Sequence, residues 1–236
     1  MSKRPIARGL SRREVLGLGT AVIAASVLSP FATAQEPPVV SANSPDEALN
    51  LLKQGNARYV ANQSRCNDYS VDRASRAVGQ APHAAILSCS DSRVAPEFAF
   101  DQGPGELFVV RVAGNFVTTD GLASLEYGAK VLGTKLIVVL GHSGCGAVNA
   151  TLQVLREHTT LPGHIPALVR AMKPGITPVL KDTGHEMAAR AVIANVNYNV
   201  QRLANAGPVL APMVRDGKLK VVGGVYDLAS GRITFV

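Results

Sequence analysis

The sequence predicts an α/β domain built on a mostly parallel central β-sheet flanked by helices, and three observations carry this. First, three short apolar runs show no polar alternation: His83-Ala-Ala-Ile-Leu-Ser88, Leu107-Phe-Val-Val-Arg-Val112 and Lys135-Leu-Ile-Val-Val-Leu140. Such runs suit strands covered on both faces, as in a parallel sheet. Second, residues 120–132 between the last two runs form a capped helical pattern, so strand, helix and strand make a βαβ unit of nearly fixed hand. Third, the 202 residues that follow a 34-residue leader are a size that fits one domain with a real core.

The leader is residues 1–34. Lys3, Arg4 and Arg8 give a basic start, and Ser11-Arg12-Arg13-Glu-Val-Leu16 has the form of a twin-arginine export signal. An uncharged apolar run, about 16–28, is shorter than the ~20 residues a membrane span needs. Ala32-Thr-Ala34 is a small-x-small cleavage site. The expectation is therefore a periplasmic or otherwise exported protein, passed folded through the twin-arginine machinery and free of the membrane after cleavage. The alternative is an uncleaved membrane anchor.

The remaining elements follow in order. Residues 35–43, with Pro37-Pro38, read as an extended tail, and 44–236 as the domain. Ser44-Pro-Asp-Glu47 opens an N-terminal helical arm: Ser44 is the cap, Pro45 holds the first helical position and Glu47 completes a capping box. Apolar residues then recur at helical spacing to about Asn62. After the βαβ unit, helical patterns occupy about 144–157, 164–173 and 181–205. Three closing strands are expected at 219–222, 224–228 and 232–236, the last pair turning at Ala229-Ser-Gly231.

This layout places the chemistry. Cys89 ends the first strand, and His142 and Cys145 follow the third. Ligand sites in open α/β sheets gather outside the carboxyl ends of the strands. Two thiolates and an imidazole are three of the four ligands of a tetrahedral zinc, and leaving the fourth position open marks a catalytic centre. His142 and Cys145 are three apart, so both can enter one site from a tight turn. Asp91 and Arg93 supply a charged pair beside the open position, with Arg93 able to keep the carboxylate ionised. Gly141-His-Ser-Gly-Cys-Gly146 does not fit G-x-G-x-x-G, and no Walker-type Lys-Ser/Thr follows it, which argues against a phosphate loop.

These segments closely resemble the β-class carbonic anhydrases. The resemblance spans roughly 44–236 and includes Cys89-Ser-Asp-Ser-Arg-Val-Ala-Pro-Glu97, Pro104-Gly-Glu-Leu-Phe-Val-Val-Arg111, Ala113-Gly-Asn115, Glu126-Tyr127 and Gly141-His-Ser-Gly-Cys-Gly-Ala147. Val112 departs from it, since the family usually has Asn there. The resemblance implies one zinc per chain on Cys89, His142 and Cys145, and reversible hydration of CO2 to bicarbonate and a proton. It makes Asp91 and Arg93 the catalytic pair. It gives Gln80 a hydrogen bond to a substrate oxygen across a dimer interface, Phe108 and Tyr127 an apolar lining, and Gly146 a backbone N–H for substrate. It further implies a homodimer or tetramer in which the N-terminal helix packs on a partner subunit. A hydrolase of carbonyl sulfide or carbon disulfide could use the same ligand set, and a non-catalytic zinc- or bicarbonate-binding protein is the alternative of another class.

The remainder of the sequence adds little chemistry. The formal charge is +7, but five basic residues and one acid lie in the leader, so about +3 remains on the domain. With no Trp and few aromatics, nothing points to nucleic acid. Cys66 has no partner in any motif and reads as a free thiol. His83, His158, His164 and His185 lack ligand spacing.

Overall fold

The computed structural model describes residues 42–65, 69–70, 73–181 and 186–236. The leader, Cys66 and His185 lie outside them. Five strands, β1 (Ala84–Ser88), β2 (Leu107–Arg111), β3 (Leu136–His142), β4 (Lys220–Tyr226) and β5 (Ile233–Phe235), form one sheet in the order β2-β1-β3-β4-β5. The first four are parallel, and β5 runs antiparallel to β4. The helices are α1 (Pro45–Val60), α2 (Arg73–Val78), α3 (Pro96–Ala99), α4 (Thr119–Lys130), α5 (Gly146–Glu157), α6 (Pro166–Ile176), α7 (Met187–Ala204) and α8 (Leu210–Arg215). Among the described residues, no helix is long and apolar enough to cross a membrane.

The unbroken apolar runs of β1 and β3 are explained by cover on both faces, whereas the run of β2, expected to be covered likewise, is only half-buried because β2 is an edge strand. Every residue of β1 and β3 is buried. Ala84, Ile86, Leu136, Val138 and Leu140 face a core that includes Ala48 and Leu52 of α1. Ala85, Leu87, Ile137 and Val139 face the opposite core, with Leu125 of α4 and Val196 and Leu203 of α7. Each Leu or Ile so buried contributes about 1.5–3 kcal/mol. A third cluster, from α5, α6 and α7, surrounds Cys89 and Cys145.

Helix α1 starts as its sequence requires: the Ser44 hydroxyl accepts from the Glu47 N–H at 3.2 Å, with Pro45 in the first turn. One face of the helix packs on the chain's own sheet. Ala48 and Leu52 are fully buried on the chain's own sheet. Asn56 ties the helix down through Nδ2 to the Ala99 and Gly231 carbonyls, while its Oδ1 accepts from the Ile233 N–H. This face of α1 therefore anchors the helix to its own chain.

Two expectations are corrected. The strands expected at 219–222 and 224–228 are one strand, β4. Its paired glycines allow close approach rather than a break: a Cβ on Gly223 would lie 2.6 Å from Val196 Cγ1, and one on Gly224 3.2 Å from Ile233 Cγ2. Helix α6 runs through Pro174 to Ile176 instead of stopping at 173. Met172 and Ile176 are fully buried, and a Cβ on Gly175 would lie 2.8 Å from Tyr198 Cβ, so packing outweighs the hydrogen bond that Pro174 removes. The pattern read at 181–205 begins as helix at Met187, preceded by a 3₁₀ turn at Thr177–Lys181.

Candidate metal centre

Strand register brings the three expected ligands together. Ser88 pairs with Leu140, so Cys89, one step beyond β1, comes level with Gly141 and next to His142 at the end of β3. A two-residue turn at Ser143 and Gly144, the latter at φ 65°, returns the chain so that Cys145 caps α5. The Ser143 hydroxyl accepts from the Leu228 N–H at 2.9 Å and ties this turn to the end of β4. One ligand atom from each of Cys89, His142 and Cys145 lies within 4.8 Å of the others, and all three residues are buried.

The imidazole is set for a cation. His142 Nδ1 lies 3.0 Å from the Ser143 carbonyl, which can only accept, so Nδ1 carries the hydrogen. Nε2 is buried, has no oxygen or nitrogen hydrogen-bond partner, and has the Cys89 sulfur as its neighbour. Metal-ligating histidines are commonly oriented in this way, by a carbonyl on the second nitrogen.

The thiols show the same preparation. The hydrogen bond from Cys145 brings Cys89 down to about 4 against the opposing effect of burial, aided by His142 and the Gly114 N–H. Cys145 is pushed up, first by that same hydrogen bond and then by burial. The two sulfurs thus share one proton. Burial disfavours the charged form of His142, yet the Cys89 thiolate beside it carries the imidazole above its ordinary value. A divalent cation in place of that proton satisfies both thiolates and the imidazole lone pair. With metal–ligand bonds of about 2.0–2.3 Å, ligand atoms around a tetrahedral zinc stand about 3.5–4 Å apart, so the set fits with little adjustment.

Asp91 faces this cluster without joining it. Its Oδ2 is 3.8 Å from His142 Nε2. Arg93 holds it in a two-pronged pair, Nε to Oδ1 at 2.9 Å and Nη2 to Oδ2 at 2.7 Å, and the Arg93 N–H donates to Oδ1 at 3.0 Å. The Arg93 hydrogen bonds keep the carboxyl well below the usual carboxylate range.

Several site residues escape sequence reasoning. Arg111, at the end of β2, donates to the carbonyls of Cys89, Asp91 and Val94 at 3.0, 2.8 and 2.9 Å, so one guanidinium fixes the loop carrying both a ligand and the acid. The Gly114 N–H reaches Cys89 Sγ, and Asn195 of α7 donates to the Gly114 carbonyl at 2.8 Å. Arg111 and Gly114 stand inside segments that carry the resemblance, which was the available signal. Asn195, 81 residues from its partner, left none.

Of the other expected contacts, Gln80, Phe108 and Tyr127 do not meet the cluster within one chain. Gln80 is exposed in the connection entering β1, at the end of the strand opposite Cys89. Phe108 and Tyr127 pack on each other, ring centroids 6.4 Å apart, between β2 and α4. Tyr127 is half exposed. Gly146 is exposed at the first residue of α5, beside Cys145.

Comparison with known proteins agrees with this geometry. The family model described as carbonic anhydrase matches residues 84–233. Carbonic anhydrase 2 of Mycobacterium tuberculosis is 40% identical over 189 residues, covering 80% of this chain and 91% of that protein. Among solved structures, the β-carbonic anhydrase CcaA superposes with a TM-score of 0.65 at 26% identity, covering 79% of this chain and 94% of that one. One of two β-carbonic anhydrases from Sordaria macrospora, described as tetrameric, gives 0.61 at 28% identity, over 68% of this chain and 83% of that one.

Proposed function

The chain belongs to the β-class carbonic anhydrases, enzymes of CO2 hydration, and from that premise we propose that it works with one zinc held by Cys89, His142 and Cys145. The observation that carries this is the meeting of two thiols with a buried imidazole whose Nε2 has no oxygen or nitrogen hydrogen-bond partner. Zinc bound there supplies Lewis-acid activation of water for attack on CO2. Asp91 accepts a hydrogen bond from the attacking water and fixes its orientation, while Arg93 fixes Asp91. Gly146 offers its N–H, one of the free donors at a helix start, to a substrate oxygen.

Gln80, Phe108 and Tyr127 lie away from their own chain's ligands, so their expected substrate roles require a second copy. We therefore place them at a neighbour's site, with a homodimer as the smallest active assembly and a tetramer as its doubling. The tetrameric description of the Sordaria enzymes agrees with this. The export reading of residues 1–34 is likewise a proposal, tested by replacing Arg12 and Arg13 with Lys and locating the protein by fractionation. Retention in the cytoplasm supports the twin-arginine route, and continued export refutes it.

The test of the metal reading is elemental analysis joined to stopped-flow CO2 hydration. The purified protein carries about one zinc per chain, and Cys145→Ala and His142→Ala lose both metal and turnover. Full zinc occupancy in Cys145→Ala would overturn the ligand set.

A further inference from the structure

A cavity lies apart from the metal centre, where the C-terminal part of α5 and the loop after it face α6. It has a volume of about 360 Å³. That is at the lower end of the range for small-molecule pockets, about 300–1,000 Å³. Helix α5 begins immediately after Cys145 and its 12 residues span about 18 Å, so this cleft sits at the far end from the ligands.

Its lining divides by chemistry. Leu155, Leu161 and Val169 give an apolar floor. Arg170 and Lys173, three apart on α6, stand on the same side of the cleft. Neither has an ion-pair partner among the described residues. The Thr159 hydroxyl also lines the cavity, and its Oγ1 is buried with no protein hydrogen-bond partner. Buried hydroxyls nearly always have a partner, so this one points to an acceptor from outside the chain. Glu157 is the sole acid between Val154 and Lys173, and it already accepts from Gln153.

Two unpaired cations and a hydroxyl above an aliphatic floor specify an amphiphilic anion. A small hydrated anion would leave the floor uncovered, and a neutral lipid would leave the cations and the hydroxyl unmet. We propose that the cleft between α5 and α6 binds a medium-chain carboxylate, its head between Arg170, Lys173 and Thr159 and its tail on Leu155, Leu161 and Val169. The carboxylate accepts charge-assisted hydrogen bonds from the two cations and one from the hydroxyl.

The test is calorimetric titration of the zinc-loaded protein with hexanoate, octanoate, decanoate and octanol. The expected result is one octanoate per chain, with affinity rising roughly three- to fourfold per added methylene until the floor is covered. Octanol, which lacks the charge, binds at least tenfold more weakly. Arg170→Gln with Lys173→Gln weakens octanoate at least tenfold and leaves CO2 hydration unchanged, because neither residue belongs to the metal centre. Both side chains are exposed, and circular dichroism checks that the double variant remains folded. Absence of saturable binding overturns the proposal, as it would if a second copy of the chain closed the cleft. An octanoate affinity unchanged in the double variant overturns it too, since the carboxylate would then sit elsewhere, the metal centre included.

Discussion

The backbone N–H of Gly114 donates to Cys89 Sγ at 3.3 Å, so a loop between β2 and α4 helps hold one of the three clustered side chains proposed to bind zinc. The position demands glycine twice. Its φ is 88°, and an added Cβ would run into Met172 Sδ. Gly114→Ala is expected to cost about 2–4 kcal/mol from left-handed strain and overpacking together. Denaturant unfolding of the zinc-loaded protein reads that cost. Chelator competition should show weaker zinc binding alongside it, and a variant with unchanged metal affinity would reduce Gly114 to a packing residue.

Arg111 gives the second prediction. One side chain bonds three backbone carbonyls of the loop that carries Cys89 and Asp91. Arg111→Ala releases those carbonyls to water and frees the loop. Zinc affinity should fall roughly 10–100-fold, the usual effect of losing groups that orient ligands. Lys in its place cannot span three carbonyls from one planar fork and should restore little. Full rescue by Lys would mean that charge alone, and not this geometry, is what matters.

The third concerns Asp91. Removing its acceptor charge in Asp91→Asn should lower the hydration rate by roughly 100-fold or more with zinc retained. Arg93→Ala raises the Asp91 carboxyl back towards its ordinary value, about 4. Above about pH 6 the carboxylate is ionised with or without Arg93, so any loss there comes from orientation. A deficit that disappears above pH 6 would instead show that Arg93 acts by keeping the charge. Because Arg93 holds the folded-state value low, this pair stabilises the fold above the ordinary carboxylate range, and that contribution is lost as acid titrates Asp91.

What the sequence made legible follows from how local each signal is. The buried runs of β1 and β3 and the Ser44 cap are contiguous patterns, and they appear where expected, although Glu47 reaches back to the Asn43 N–H and not to that of Ser44. The cluster of Cys89, His142 and Cys145 was legible because it joins rare residue types at strand ends. The short helices α2, α3 and α8 were not, since four to six residues hold too little periodicity. The Gly223-Gly224 pair reads as a break until Val196 and Ile233 are seen against it. Asn195 and Asn199 look like any polar residues of a helix. Only the fold shows Asn199 Oδ1 accepting from the Val117 N–H while Asn195 holds Gly114.

That asparagine pair carries a prediction of its own. Both side chains are fully buried, and Asn199 Nδ2 also donates to the Asn195 carbonyl at 2.8 Å. Asn195→Leu strands the Gly114 carbonyl in the interior, at about 1–3 kcal/mol. It should also weaken zinc binding, because Gly114 is the donor to Cys89. A stability loss with unchanged zinc affinity would confine Asn195 to the core.

The last prediction lies beneath the metal centre, where Tyr226 pairs with His142 in the sheet. Burial raises the Tyr226 hydroxyl to about 12, with the Tyr59 hydroxyl 3.2 Å away as the next cause. Between about pH 10 and 12 the unfolded chain releases this proton while the folded chain keeps it. The unfolded state then binds fewer protons, so stability falls as pH rises through that window and is fully present below it. Tyr226→Phe removes the group and its share of the slope. At pH 8 the variant should be less stable by about 1 kcal/mol, the worth of the lost hydrogen bond. Urea midpoints taken from pH 8 to 11 should then converge, as the wild type loses what the variant never had. Parallel curves across that range would show that the Tyr226 hydroxyl ionises no less readily in the folded chain than in the unfolded one.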